Sequence, residues 1–259
     1  MPKTQIIEIA SILANDEVAP ATWRMVLSSP EIAGLAQPGQ FVMVDLGGLD
    51  PLLRRPFSIH RCQDGGSLSL LYKVVGHGTG QMAALEPGRT LSLLGPLGHG
   101  FEIKGKSHIL VGGGLGTAPL LMLAETMACL GKDQNITTLL GGRTAGEILV
   151  SEEFAPFGQV KKATDDGSLG HHGLVTSLLN DLSGPDQQVY SCGPEPMLRA
   201  VARICREKGW PCQVSLESHM ACGMGACLGC AVEHASLTEK KYAHVCKDGP
   251  VFEAGAIWL

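Results

Sequence analysis

The stretch Ile109–Leu120, "ILVGGGLGTAPL", decides the fold. A short apolar run ends in glycines and gives way at once to a helical pattern, "TAPLLMLAETMACLGK". Pro119 falls in the first turn of that helix, where its missing N–H is no loss. A buried strand that feeds a helix through glycines aims free backbone N–H groups and the positive helix end at one place, a seat for phosphate. Gly112, Gly113, Gly114 and Gly116, followed by Thr117, leave room for a diphosphate against the backbone. The spacing is not G-x-G-x-x-G, so a plain strand-to-helix turn stays open as an alternative.

Downstream, strands and helices alternate. "NITTLLGGR", "GQVKKATDD", "QQVYSCG" and "CQVSLES" read as strands, the last of them as the final strand. Helical segments lie in "GEILVSEEFAPFG", "HGLVTSLLNDLSG" and "EPMLRAVARICREKG". Such alternation implies a mostly parallel sheet with helices on both faces, placed over residues 104–218. "VYSCGPEPMLRAV", Val189–Val201, repeats the strand–turn–helix logic, and Cys192, Gly193 and Pro194 form its turn. Both turns fall at carboxyl ends of strands, where open α/β sheets bind ligands. Cys192 reads either as an inert core thiol or as a neighbour of a nicotinamide ring.

Upstream, residues 1–103 carry six runs of strand type: "IIEIASIL", "TWRMVLSS", "GQFVMVDL", "PFSIHRC", "LSLLYKVV" and "TLSLLGPL". Turn residues separate them, which predicts a small six-stranded antiparallel barrel. "GTGQMAAL" is the one helix expected there, and Gly78 and Thr79 at its start offer a second phosphate seat. The adjacent Arg54 and Arg55 suggest an anion, since a guanidinium fork donates two hydrogen bonds at once.

Residues 219–259 are rich in cysteine and glycine. Cys222, Cys227 and Cys230 give C-x4-C-x2-C, and Cys246 follows after fifteen residues. That is the plant-type ferredoxin spacing for a 2Fe–2S cluster. Gly223, Gly225, Ala226 and Gly229 are small enough to let backbone N–H groups approach the sulfurs. Zinc would favour two C-x2-C pairs, and only Cys227 and Cys230 form one; a zinc-stapled binding module without enzymatic activity is the competing alternative. Cys62, Cys129, Cys205 and Cys212 read as ordinary buried cysteines.

Composition narrows the classes further. The 259 residues have 44% hydrophobic content and a net charge of −5, which argues against nucleic acid as a partner. The longest uncharged stretch, Ile109–Ala124, holds four glycines and a proline and is too short to span a bilayer. "MPKTQIIEIAS" makes a poor signal peptide. Nine cysteines in a chain with these features point to metal or redox chemistry in the cytoplasm.

Together these motifs resemble the ferredoxin-NADP reductase superfamily, through "RPFS" at Arg55–Ser58, the Gly112–Pro119 turn and the Cys192–Met197 turn. Within it, "ESHMACGMGACLGCAV" and "VCKDGPVF" are similar to the electron-transfer subunits of class 1B dihydroorotate dehydrogenase. The resemblance implies FAD held by Arg55, Pro56, Phe57 and Ser58, by Leu71, Tyr72 and Lys73, and by Gly78 and Thr79 at its diphosphate. It also implies a 2Fe–2S cluster, NAD as terminal oxidant and an FMN-containing catalytic subunit as partner, in a heterotetramer serving pyrimidine (UMP) biosynthesis. Dihydroorotate chemistry would then belong to the partner, with no catalytic residue in this chain. Met224 and Leu228 are expected contacts with that partner. Trp258 is not expected to cover the flavin. A flavin/iron–sulfur subunit serving a ferredoxin, sulfide, sulfite or hydrogenase partner is the alternative within the same class.

Overall fold

A computed structural model describes residues 5–48, 50–63, 65–235 and 241–257. The Trp258 expectation lies outside the described residues. Six antiparallel strands close into a barrel: β1 (Ile6–Ala19), β2 (Thr22–Ser28), β3 (Phe41–Asp45), β4 (Arg55–Gln63), β5 (Ser67–Lys73) and β6 (Thr90–Leu97). Their order around it is β1-β2-β5-β4-β3-β6, so no edge is left unpaired. Alternation along each strand fills the interior with Ala10, Ile12, Met25, Leu27, Val42 and Leu93. The opposite faces of β3 and β6 are also apolar, because Phe41, Met43, Leu94 and Leu97 pack against the C-terminal part of the chain.

Two helices attend the barrel. α1 (Pro30–Leu35) was not expected from the sequence. It has six residues, and its cap comes from far away: the Glu8 carboxylate accepts from Ser29 Oγ at 2.5 Å and from the Ile32 N–H at 2.9 Å. α2 (His77–Ala83) falls where "GTGQMAAL" predicts a helix.

The second unit is a seven-stranded sheet. Its strands are β7 (Ser107–Gly113), β8 (Asn135–Gly142), β9 (Gln159–Thr164), β10 (His171–His172), β11 (Gln187–Cys192) and β12 (Cys212–Ser215), all parallel, plus one from the tail. The helices are α3 (Ala118–Cys129), α4 (Ser151–Phe154), α5 (Val175–Asn180) and α6 (Glu195–Lys208). Helix α5 is shorter than "HGLVTSLLNDLSG" suggests, because His171 and His172 enter the sheet as β10. The order β10-β9-β8-β7-β11-β12 places a switch point between β7 and β11, where the chain reverses its direction across the sheet.

The tail forms a two-stranded ribbon, β13 (Ala231–Glu233) with β14 (Tyr242–His244), and then β15 (Val251–Glu253). β15 pairs antiparallel with β12, so β12 is not the final strand of the sheet. The cysteine-rich segment is thereby sewn into the α/β unit rather than merely packed on it. An ionic seam joins barrel to helices: Arg24 meets Glu153 at 2.6 Å and Arg61 meets Glu125 at 2.5 Å. Beside it the buried His60 Nδ1 lies 2.8 Å from the Ala118 carbonyl oxygen. Cys129 corrects one expectation: at the end of α3 it is exposed, and Cys62 is half-buried.

Candidate functional site

Both glycine turns meet at the switch point. After β7 the chain makes a 3-10 turn, Gly114–Thr117, and Thr117 Oγ1 donates to the Gly114 carbonyl at 2.8 Å. The turn following β11 lies against it. A methyl group on Gly116 would sit 2.4 Å from the Cys192 carbonyl oxygen, so only glycine lets the two turns touch. Gly113, Gly114, Gly116, Gly193 and Pro194 line a cleft of about 650 Å³. Pro20, Thr22 and Lys73 from the barrel form its other wall. Gly112 and Thr117 are buried behind it. The Cys192 thiol does not line it: burial pushes its pKa up, and it is turned toward Ser215.

Of the charged lining residues, Arg143 is legible in the sequence as a candidate for a ribose of either NAD or NADP, whereas Glu147 and Glu217 escaped sequence reading. Arg143 and Glu147 form a two-pronged pair, with Arg143 Nε donating to Glu147 Oε1 at 3.0 Å. Hydrogen bonds from the Arg143 side chain, then from its backbone N–H, hold the Glu147 carboxyl below the usual range. Glu217 lies just past β12. Neither carboxylate has a local signature, because each becomes a cleft residue only once the sheet is assembled.

On the barrel, the two arginines part company. Arg54 is consumed internally: it donates to the Ser92 carbonyl at 2.9 Å and pairs with Asp45 at 3.3 Å. Arg55 has no carboxylate partner among the described residues, and its Nε would lie 3.0 Å from a methyl group on Gly78. A cation and a helix start thus converge, which fits the diphosphate of a flavin nucleotide. Thr79 shapes that turn: its Oγ1 accepts from the Val75 N–H at 3.0 Å and donates to the Gly76 carbonyl at 3.1 Å. Pro56 and Ser58 share the outward face of β4 with Met43 and Phe41, their register partners on β3. Phe57 and Tyr72 point the other way. Tyr72 is fully buried in the barrel, with its hydroxyl donating to Asn15 Oδ1 at 2.9 Å and its pKa pushed up to about 12 by burial. Leu71 faces outward under Ala118 and Leu149.

The cysteine loop carries N–H groups aimed at sulfur. Gly225 donates to Cys246 Sγ at 3.1 Å, Ala226 to Cys222 Sγ at 3.3 Å and Cys246 to Cys230 Sγ at 3.4 Å. Burial opposes ionisation of Cys222, but the N–H groups of Cys227, Met224 and Ala226 bring its thiol down to about 6. Burial, then the neighbouring Cys230 sulfur, pushes Cys246 up. Among the described residues, no three His, Cys, Asp or Glu side chains close on one point as a single-ion site requires. The sulfurs associate in pairs instead, Cys222 with Cys227 and Cys230 with Cys246. One zinc needs four donors about 2.3 Å from one centre, whereas a two-iron core takes two thiolates on each iron, so this donor set fits the cluster. Gly223, with φ +72°, seats the loop on the barrel, where a methyl group would meet Met43 Cγ at 2.5 Å.

A closed barrel, a doubly wound nucleotide sheet and a cysteine module define an NAD-linked oxidoreductase component of the ferredoxin-reductase type. Residues 110–203 match the oxidoreductase NAD-binding domain, and residues 217–257 match the iron–sulfur cluster binding domain of dihydroorotate dehydrogenase B. The chain belongs to the family of electron transfer subunits of NAD(+)-dependent dihydroorotate dehydrogenase B. It is 42% identical to the subunit from Bacillus caldolyticus over 258 residues, covering 97% of this chain and 98% of that one. The subunit from Fusobacterium nucleatum is 36% identical over 261 residues, again covering 97% and 98%. Among solved structures, an NADH-dependent reduced ferredoxin-NADP oxidoreductase aligns with a TM-score of 0.85 at 30% identity, covering 99% of this chain and 91% of that one. A ferredoxin NADP+ reductase from Neisseria gonorrhoeae, at 17% identity and a TM-score of 0.68, shares the fold.

Proposed function

We propose that this chain joins the FMN-containing catalytic subunit of a dihydroorotate dehydrogenase to NAD, in a heterotetramer of two copies of each subunit in pyrimidine biosynthesis. Its three working parts are residues 1–103 for FAD, 104–218 for NAD and 219–259 for the 2Fe–2S cluster. When bound, FAD supplies the exchange between the paired electrons of a hydride and the single electrons of an iron–sulfur centre. Arg55, Pro56, Ser58, Leu71, Lys73, Gly78 and Thr79 build the flavin seat, with Phe57 and Tyr72 bracing it from inside the barrel. Gly112, Gly113, Gly114, Gly116, Thr117, Cys192, Gly193 and Pro194 build the nucleotide seat, three of them from behind its surface. Cys222, Cys227, Cys230 and Cys246 hold the cluster.

The observation that carries this reading is the junction of the two sites. Chain leaving β12 passes the nucleotide cleft at Glu217 and enters the cysteine loop at Cys222. That loop rests on the outer face of β3, the barrel face turned away from its own core. Met224 and Leu228 stand exposed on the loop, and Leu228 adopts φ +61°, a backbone state that strains a branched residue. Those two side chains support a partner surface over the cluster. The outward row Met43–Leu94–Ile7 extends that surface to Ile7 and Ile9, exposed at 67% and 66%. A cytoplasmic location is consistent with nine cysteines that are all free. Among the described residues no helix is long and apolar enough to cross a membrane.

Iron, sulfide and flavin analysis of the purified protein tests the assignment. The expected result is two irons, two sulfides and one FAD per chain. Zinc without iron or flavin would establish the binding-module alternative instead.

A further inference from the structure

Met43 stands where the barrel meets the cysteine loop. It lies on β3, on the outward face, and is fully buried. A methyl group on Gly223 would fall 2.5 Å from Met43 Cγ and 2.9 Å from its Sδ, so the loop backbone rests directly on this side chain. Gly223 is the residue after Cys222. On its other side Met43 is the register partner of Pro56 on β4, and Phe41 is the partner of Ser58. Opposed residues of an antiparallel pair are near neighbours on their shared face. Met43 thus adjoins both the cluster loop and the strand that carries the flavin seat.

Leu97 also reaches Gly223, at 3.3 Å, but it stands on β6, on the far side of β3 from β4. Of the two, Met43 is the one beside the flavin strand. The cysteines are disposed unevenly about this contact. Cys230 and Cys246 are buried in the same apolar cluster as Phe41, Met43 and Leu97, whereas Cys222 is half-buried and Cys227 exposed. One pair of sulfurs is therefore packed with the barrel face in a dry interior, and the other looks outward. Methionine suits such a junction, because an unbranched thioether fills an irregular gap between a strand face and a loop backbone. Interiors are close-packed, so the volume of a side chain caught between two backbones sets their separation.

We propose that Met43 is a positioning residue for electron transfer: it holds the cluster loop at a fixed separation from β4, and the rate of single-electron exchange between cluster and flavin depends on it. The proposal rests on the FAD and 2Fe–2S reading above. Electron exchange falls steeply as the gap between two centres widens, and it is slower across a void than across packed atoms. A side chain that fills the gap acts on both quantities. The electron lost by one centre is gained by the other, and no bond of Met43 forms or breaks; its thioether is neither oxidised nor reduced.

Two measurements on the holoprotein test it. Electron paramagnetic resonance of the partly reduced protein reads the magnetic interaction between the two centres, and with it their separation. Anaerobic stopped-flow reduction by NADH resolves the phase in which electrons pass from flavin to cluster. Met43→Ala is expected to weaken the interaction and to slow that phase several-fold, with iron, sulfide and FAD content at wild-type values. Met43→Leu, which conserves volume, is expected to keep both readouts. Met25→Ala opens a comparable cavity inside the barrel, away from the loop, and serves as the control for lost stability. It is expected to lower the melting temperature while leaving both readouts unchanged. Should Met43→Ala fail to fold, Met43→Val carries the same test with a smaller slowing. A fully loaded Met43 truncation with wild-type interaction and rate, or equal losses in Met25→Ala, would overturn the proposal. Wild-type protein that holds no iron or no flavin would overturn the reading on which it rests.

Discussion

Glu147 holds Arg143 by three side-chain hydrogen bonds, two from Nε and one from Nη2, at the edge of the cleft. A guanidinium engaged in this way is not free to meet a phosphate on the adenosine ribose, whereas the carboxylate suits ribose hydroxyls. Glu147→Ala releases the fork. The ratio of kcat/KM for NADPH to that for NADH, measured with an artificial acceptor, is expected to rise about tenfold, or about 1.4 kcal/mol. Cys246 is equally specific in its expected effect. Cys246→Ser should lose iron and sulfide while keeping FAD, read from the visible spectrum and metal analysis, because the flavin seat lies on other strands. Residues such as Gly116, Cys222 and Cys227 announce themselves in the sequence because their chemistry is local: a glycine run, a thiol spacing. Glu147 and Glu217 do not, since a surface carboxylate and a cleft carboxylate look alike until strand order is known.

At the scale of elements, the seam between β4 and α3 sets an acid limit. His60 is fully buried, and desolvation lowers its pKa below 6.5, although the hydrogen bond to Ala118 acts the other way. The unfolded chain therefore binds this proton more readily than the folded one as pH falls below about 6.5. Stability contributed by neutral His60 is complete above that pH and declines below it, by at most about 1.4 kcal/mol per pH unit. Thermal melts between pH 7 and pH 5 should show this fall, and His60→Leu should flatten it at the cost of the Ala118 hydrogen bond. Gly116→Ala should destabilise by about 1–3 kcal/mol in denaturant titration, because its methyl group meets backbone rather than a side chain that can move. The six barrel strands and the strand–helix alternation were legible because a period of two and a period of 3.6 differ within a few residues. α1 was not legible, being six residues long and capped by Glu8 from another strand. β15 was not legible either, since three residues carry too little pattern and their place depends on β12.

For the molecule as a whole, connectivity explains why three cofactor-binding parts form one electron path. The cysteine segment is bound on one side by β15 to the nucleotide sheet and on the other by Gly223 to the barrel. The proposed cluster, flavin and nucleotide seats are thereby fixed relative to one another, while Met224 and Leu228 stand exposed. Replacing both with Asp should weaken assembly with the catalytic subunit by about tenfold or more, measured by sedimentation, because interfaces depend on a few buried apolar anchors. Cofactor content of the isolated chain should not change. The most direct measurement is a coupled assay on the complex formed by co-expression with a catalytic subunit. Orotate formation from dihydroorotate should proceed with stoichiometric reduction of NAD+ and should cease to be NAD-linked when this chain is omitted. A fully loaded chain that assembles and oxidises NADH with a dye, yet supports no NAD-linked orotate formation, would contradict the assignment.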